Sequence, residues 1–186
     1  QLVIGDRNTI REFCTFNIGS PGDQGVTQVG NDNWIMAYVH LAHDCQVGNH
    51  TIFANSTQLA GHVHVGDWVI LGGFTVVHQF CRLGAHSFTA MNSLLFADLP
   101  PFVMGQGQPA QARSMNFEGL RRRGFSHERI AAVKAMHKSL YRQQLTLAQA
   151  QSEIELLTLK YPEAKDDVDM MLGFLQGTSP ERGIVR

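Results

Sequence analysis

The chain has 186 residues, of which 44% are hydrophobic and 17% charged, and its formal net charge is −1 at pH 7. A charge so near zero gives no electrostatic argument for a nucleic acid or a membrane surface, and we expect neither as a partner. No run of 18 apolar residues occurs, and the opening stretch QLVIGDRNT lacks the charged and apolar regions of a signal peptide. We therefore expect a cytoplasmic protein without stable membrane insertion.

The main pattern along the chain is an apolar residue that returns at every sixth position. This register is held by Val29, Ile35, Leu41, Val47, Phe53, Leu59, Val65, Leu71, Val77, Leu83 and Leu95, with Thr89 as its polar member. Ile4, Ile10 and Phe16 continue it toward the start of the chain. Neither an α-helix nor a flat sheet has this period, whereas a coil of three short strands with tight corners does. The pattern predicts a β-solenoid over residues 1–112, namely a left-handed parallel β-helix of hexapeptide repeats.

Two irregularities interrupt the early part of this solenoid. The chain begins inside a hexad, so we expect the first coils of a longer solenoid to be missing. Between Phe16 and Val29 the spacing is thirteen residues rather than six, and the added residues are rich in Gly, Pro and Ser. We expect residues 18–28 to project from one corner as a loop.

The three cysteines fit the same register. Cys14, Cys45 and Cys81 each follow an inward apolar position by four residues. Cys45 and Cys81 are two turns apart, which is roughly 9–10 Å at the spacing of paired strands and too far for a disulfide. We expect all three to be free thiols packed in the core.

The last third of the chain changes character. Residues 98–111 contain three prolines and two glycines, which predicts an irregular segment that ends the solenoid. Beyond it, helical spacing predicts an α-helical domain over residues 113–186. The predicted helices are about 127–143 after an N-cap at Ser126, about 147–160 after an N-cap at Thr146, and a third between Pro162 and Gly177.

Three histidines are predicted to meet at one corner of the solenoid. His43, His62 and His78 follow the same wall in three successive coils, in layers roughly 5 Å apart. His40 precedes this wall, and Asp44 could hydrogen-bond the His43 imidazole. A His oriented by a carboxylate is a suitable general base. Alternatively, the three imidazoles could hold Zn²⁺ with an open fourth position, or they could simply face solvent.

A second candidate site is the segment 116–125, which contains three adjacent arginines, Arg121, Arg122 and Arg123, shortly after Asn116 and Glu118. Guanidinium groups bind phosphate oxygens in a bidentate way, so this segment suits a phosphate or a nucleotide. An ordinary solvated run of charge would have the same spacing. The spacing alone does not distinguish a phosphate site from a solvated run of charge.

The stretches 37–45, 59–63, 77–80 and 116–125 resemble the UDP-N-acetylglucosamine O-acyltransferase family, which carries out the first step of lipid A biosynthesis. The resemblance extends over the whole chain, including its helical tail. It implies a homotrimer with active sites in clefts between subunits. It also implies UDP-N-acetylglucosamine and a 3-hydroxyacyl group on acyl carrier protein as substrates, with no cofactor and no metal.

The resemblance further implies roles for individual residues. His43 matches the general base, Asp44 the residue that orients it, and the Gly61 N–H a donor to the oxyanion. Met91 matches the position that limits acyl-chain length, so we expect a group nearer ten carbons than fourteen. The positions that match substrate-binding residues are His40, His62, His78, Gln79, Asn116, Glu118, Arg122 and Arg123.

The chain departs from the family pattern in two further respects. The missing coils would carry an Asp and a Lys that the family uses for substrate, so we expect this truncated chain to be inactive on its own. Asn17 stands where the family often has another His. Three alternatives to the leading hypothesis stay open: a zinc-dependent hydratase of the carbonic anhydrase type, a related N-acyltransferase of the lipid A pathway, and a structural solenoid that binds a partner or ice.

Overall fold

The computed structural model describes residues 1–22 and 24–186. Within them, strands of two or three residues follow the hexads one after another. These strands are β1 Leu2–Ile4, β2 Thr9–Ile10, β3 Thr15–Phe16, β4 Thr27–Val29, β5 Trp34–Ile35, β6 His40–Leu41, β7 Gln46–Val47, β8 Ile52–Phe53, β9 Gln58–Leu59, β10 His64–Val65, β11 Ile70–Leu71, β12 Val76–Val77, β13 Arg82–Leu83, β14 Phe88–Thr89 and β15 Leu94–Leu95.

These strands form three parallel sheets that wrap one core. The first sheet has the order β1-β4-β7-β10-β13, the third has β15-β12-β9-β6-β3, and the second includes β14-β11-β8-β5-β2. Each strand pairs with the strand one coil away, as Gln46 pairs with His64. The second residue of a strand points inward, and Phe53, Leu59 and Leu71 are fully buried. The prediction of a hexapeptide β-solenoid is confirmed.

The chain turns between sheets at three corners, and each corner contains a residue with positive φ. The first corner joins the first and second sheets, the second joins the second and third, and the third joins the third and first. The left-handed residues are Arg7, Asp32, His50, Trp68 and His86 at the first corner; Phe13, Tyr38, Ser56, Phe74 and Asn92 at the second; and Asp44, His62 and Phe80 at the third. This conformation costs L-residues energy, and a backbone bond to the previous coil, such as His62 N–H to the His43 carbonyl, supports it.

The cysteines are free, as expected. Cys45 and Cys81 are fully buried, and burial raises the pKa of the Cys45 thiol to about 11 and that of Cys81 to about 12. Cys14 packs against the same core but is only partly buried. It lies in a coil where the inward residue Ile10 is itself exposed.

The end of the solenoid differs from the prediction. The segment expected to be irregular forms part of a hairpin of two longer strands, β16 Val103–Gly107 and β17 Ala110–Met115. β16 pairs in parallel with β14, and β17 pairs with β16 in antiparallel fashion at the edge of the second sheet. Pro100 and Pro101 lie just before this hairpin and Pro109 lies at its turn, while Gly105 and Gly107 lie within β16, where the register shifts between Met104 and Gly105.

Helices follow the hairpin. They are α1 Phe117–Arg122, α2 His127–Tyr141, α3 Leu147–Glu155, α4 Leu157–Lys160 and α5 Lys165–Gln176, with a 3₁₀ turn at Pro162–Ala164. The caps at Ser126 and Thr146 are confirmed, while the second predicted helix is divided at Leu156. Their apolar residues join the solenoid in one continuous core. Within the described residues, none of these helices has the length and apolar character required to cross a membrane.

Candidate active site

Two columns of side chains run along the third corner. Because a coil has 18 residues, residues 18 positions apart lie above one another. Their separation within a column is that of paired strands, as in β6, β9 and β12. The first column holds His43, Gly61 and Gln79, and the second holds Asp44, His62 and Phe80. The strands β6 and β9 end just before this corner and fix both columns.

His43 and Asp44 form a hydrogen-bonded pair, with 2.9 Å between His43 Nδ1 and Asp44 Oδ2. The side chain of His43 is 46% exposed, whereas that of Asp44 is 1% exposed. The Ser20 N–H, and then the His43 imidazole, lower the pKa of Asp44 to about 2. At neutral pH the carboxylate can only accept, so Nδ1 carries the proton and the Nε2 lone pair is left for a substrate.

Gly61 lies directly beside this imidazole. It is buried, and its N–H meets no hydrogen-bond acceptor among the described residues. A Cβ at this position would stand 2.8 Å from His43 Nε2. The Gly61 backbone and the imidazole of the base are therefore immediate neighbours, which suits an acyl-transfer reaction with an anionic intermediate.

His62 joins this pair, but His78 does not. The rings of His43 and His62 are edge to face at 5.0 Å, and His62 stacks on Phe80 at 4.5 Å. His78 instead packs its ring 5.5 Å from Phe96. Its position 18 residues before Phe96 puts it in a different column from His62. The prediction that three imidazoles meet is wrong for His78.

The residues that could bind a metal ion at this corner are therefore His43, Asp44 and His62. Their possible ligand atoms lie within 4.8 Å of one another. The Asp44 carboxylate, however, already accepts the Ser20 N–H with both oxygens, at 3.2 and 2.9 Å. The group thus fits a hydrogen-bonded acid–base pair better than the three-imidazole zinc site.

The other predicted residues of this region surround the two columns. His40 lies on β6 and is half-buried, with its Nδ1 2.7 Å from Thr15 Oγ1. His78 and Gln79 are exposed and line a cleft of about 220 Å³ that also includes Arg182 of the tail.

The arginine-containing segment lies elsewhere, at the first corner. It borders a cavity of about 710 Å³. The lining residues are His50 and Trp68 of the corner, Ile52, Ile70, Phe88, Met104 and Met115, and residues 116–119 and 121–123. Asn116 anchors the segment because it caps α1, accepting from Gly119 N–H, and donates from Nδ2 to the His86 carbonyl at 3.1 Å.

The neighbouring arginines Arg122 and Arg123 differ in environment. Arg122 is exposed and pairs with Glu118 at 3.0 Å. Arg123 turns inward, where its guanidinium lies 5.2 Å from the Trp68 ring centre and donates to the Trp68 carbonyl and to His86 Nδ1. Burial lowers the pKa of Arg123. This difference was not predictable from the sequence, because three adjacent arginines look equivalent in a charge pattern.

Met91 stands at the second corner and is 70% exposed. The three groups of predicted site residues thus belong to three different corners of one chain. The tip of the loop 18–28 is exposed at residues 21, 22 and 24. Its base is buried at Gly19 and Thr27 and contacts Asp44, which sequence reasoning missed.

Comparison with known proteins agrees with this geometry. Residues 27–61 match the family model of the bacterial transferase hexapeptide (six repeats), and residues 98–185 match that of UDP-N-acetylglucosamine O-acyltransferase, domain 2. The solenoid and these matches define a hexapeptide-repeat transferase.

The relatives narrow the class. The acyl-[acyl-carrier-protein]–UDP-N-acetylglucosamine O-acyltransferase of Albidiferax ferrireducens is 76% identical and that of Thiobacillus denitrificans 57% identical, each over 186 residues that are all of this chain and 70% of the relative. The chain belongs to the UDP-N-acetylglucosamine O-acyltransferase family. A solved UDP-N-acetylglucosamine acyltransferase of Francisella novicida is 39% identical with a TM-score of 0.93, and the match covers 100% of this chain and 66% of that one. The chain thus spans about two thirds of the length of its relatives.

Proposed function

We propose that the chain transfers a 3-hydroxyacyl group from acyl carrier protein to the 3-hydroxyl of UDP-N-acetylglucosamine, the first step of lipid A biosynthesis. The observation that carries the proposal is the His43–Asp44 pair beside the Gly61 N–H. The family relation supplies the substrates, since the relatives' names state both the carrier and the sugar nucleotide.

In this mechanism His43 Nε2 removes the proton of the sugar hydroxyl as its oxygen attacks the thioester carbonyl. The Gly61 N–H stabilises the resulting oxyanion, a contribution of roughly 10²–10³ in rate for one donor. The carbon–sulfur bond then breaks, and the imidazolium returns its proton to the departing thiolate. Asp44 holds the imidazole in the required tautomer and stabilises its positive charge.

The substrate-binding residues follow from the same assignment. His40, His62, His78 and Gln79 surround the base at the third corner and would contact the sugar or the acyl group. At the first corner, Asn116, Glu118, Arg122 and Arg123 border a large cavity with an aromatic side, which suits a nucleoside diphosphate.

One chain keeps these two groups at different corners. A single substrate reaches both only if two copies face each other, which favours active sites between subunits of a homotrimer. We propose this trimer, with a cytoplasmic location, as part of the same function.

The test is acyl transfer from 3-hydroxyacyl carrier proteins of ten to fourteen carbons to UDP-N-acetylglucosamine. It is run on this chain and on the chain joined to the N-terminal coils that the family resemblance implies. We expect His43→Ala to lower kcat/KM by about 10²–10⁴, and the exposed His127→Ala, on α2, to leave it unchanged. Transfer that is indifferent to His43, or absent in the extended trimer, would overturn the assignment.

The zinc hydratase remains a second candidate because two imidazoles and a carboxylate converge at the third corner. It predicts stoichiometric bound zinc and loss of activity with a chelator. An N-acyltransferase predicts transfer to an amino sugar instead of the 3-hydroxyl. A solenoid that binds ice or a partner would have ladders of like polar residues on an outer face. The outward column of the first sheet instead contains different residue types, namely Gln28, Gln46, His64 and Arg82.

A further inference from the structure

The base of the loop 18–28 closes on the buried carboxylate of Asp44. The Ser20 N–H donates to Asp44 Oδ2 at 2.9 Å and to Oδ1 at 3.2 Å. At the other end of the loop, Thr27 Oγ1 accepts the Asp44 N–H at 2.8 Å, and Thr27 is itself fully buried. Both ends of the insertion therefore fix the backbone and the side chain of Asp44.

The carboxylate depends on these donors. An ionised group hidden from water needs hydrogen bonds to be stable, and Asp44 receives them from Ser20 and His43. Ser20 exists at this place only because the spacing before β4 is thirteen residues rather than six. A regular hexad would have no backbone N–H to offer there.

The neck of the loop holds Ser20 in place through Gly19. A Cβ at Gly19 would lie 2.0 Å from the Val26 N and 2.1 Å from the Gly25 carbonyl carbon, so the two sides of the neck approach more closely than any side chain allows. The Val26 carbonyl is in turn tied to the solenoid by Gln46 Nε2 at 2.8 Å. Because the two sides of the neck are this close, the backbone at Gly19 determines the direction of the Ser20 N–H.

We propose that the Ser20 backbone N–H is a positioning group for His43. It fixes the Asp44 carboxylate in the orientation that accepts from His43 Nδ1, and this directs the Nε2 lone pair toward the space beside Gly61. The inference rests on the proposed function of His43 as the base. Ser20 itself touches neither the base nor the reacting atoms, and its hydroxyl acts on the Asp44 carboxylate more weakly than its N–H does.

The kinetic test uses Ser20→Pro, which removes the N–H, with Ser20→Ala as the matched control that keeps it. We expect Ser20→Pro to lower kcat about tenfold, a part of the 10²–10⁴ that a general base contributes, with KM within twofold. Ser20→Ala keeps the N–H and loses only the weaker hydroxyl contact, so its kcat should stay within twofold of the parent. Gly19→Ala opens the neck by a different route and should reproduce the loss.

A double-mutant cycle separates positioning from a merely structural role. In an Asp44→Ala background, where there is no carboxylate to hold, Ser20→Pro should lower kcat no further. If the two losses multiply, or if Ser20→Pro retains the parent kcat, the proposal is wrong.

A second measurement does not depend on activity. ¹⁵N NMR of histidine-labelled protein reports the tautomer of His43, which we expect to be Nδ1–H in the parent and in Ser20→Ala. In Ser20→Pro and Gly19→Ala the Nε2–H form should be populated as well. An unchanged tautomer in both variants would overturn the positioning role even if transfer is observed. A changed tautomer with transfer indifferent to His43→Ala would retain that role and reject the proposed function.

Discussion

Gly61 and His43 are in such close contact that a methyl group on Gly61 would lie 2.7 Å from His43 Cε1. The His43 ring is half-exposed and can rotate away, so the added methyl should displace the imidazole rather than unfold the solenoid. We expect Gly61→Ala to lower kcat/KM by roughly 10², the scale of a lost oxyanion donor or a misplaced base. Steady-state kinetics and a thermal melt on the same sample measure both effects.

Gly73 supplies the matched control for this change. It occupies the equivalent position at the second corner, where an added Cβ would meet the Asn55 carbonyl oxygen at an acceptable 3.4 Å. Gly73→Ala should retain kcat/KM within twofold. Equal losses in both variants would mean that the effect comes from the corner backbone and not from His43.

The contrast between Arg123 and Arg122 gives a prediction about stability. Arg123→Gln removes the guanidinium bonds to the Trp68 carbonyl and His86 and its contact with the indole, and should lower the free energy of unfolding by about 2 kcal/mol. Arg122→Gln removes an exposed pair and should change it by less than about 0.5 kcal/mol.

Binding of UDP should not follow the order of the stability changes, because both arginines border the cavity proposed for the nucleotide. Isothermal titration is expected to show weaker UDP binding for Arg122→Gln and for Arg123→Gln, while chemical denaturation detects a marked loss of stability in Arg123→Gln alone. The interpretation fails if Arg123→Gln is as stable as the parent.

His86 predicts an acid-sensitive region at the first corner. Burial, and then Arg123 and Arg129, lower the pKa of His86 from 6.5 to about 4, against the opposing charge of Asp67. The unfolded chain therefore binds the proton first as the pH falls, and stability is lost between about pH 6.5 and pH 4. The loss is on the order of 2–3 kcal/mol.

The variant His86→Phe removes the titrating group and keeps an aromatic ring against Phe102. The free energy of unfolding, measured by urea denaturation at several pH values, should fall less steeply between pH 6.5 and pH 4 in this variant. Parallel pH profiles for the two proteins would assign the acid sensitivity to other groups.

Met91 should determine which acyl chain is transferred. Its side chain stands 70% exposed at the second corner, and in the proposed trimer it would fill the end of the acyl groove. We expect the parent to prefer about ten carbons, and Met91→Gly to gain at least about tenfold in kcat/KM for fourteen, since several buried methylenes contribute about 0.8 kcal/mol each. Asn55→Gly, in the same column two coils away, is the control. Equal kcat/KM for both lengths in the parent would contradict this role.

The six-residue period of the apolar positions was sufficient to predict the solenoid, because each strand contributes one inward residue to the core. The same count placed His78 one residue after the wall position, compared with two for His43 and three for His62, and these offsets put it in a different column along the corner. Phe96, 18 residues later, indicates the correct column, and this comparison was available in the sequence.

Two other features depend on contacts without a periodic signal. The role of Ser20 rests on a backbone N–H in an aperiodic loop, 24 residues before the carboxylate that it meets. The inward turn of Arg123 depends on where α1 docks against Trp68 and His86. Neither contact follows from residue type, because backbone donors and adjacent arginines look alike wherever they occur.

The hairpin formed by β16 and β17 has a consequence for how copies can join. A parallel solenoid ends in open strands that can template further coils, which is a route to fibres. Here the last strand reverses direction, α2 packs against it, and the Arg186 carbonyl accepts the Ala112 N–H. The reversal prevents further parallel coils from adding to the second sheet at that end, so copies cannot join there by extending this sheet.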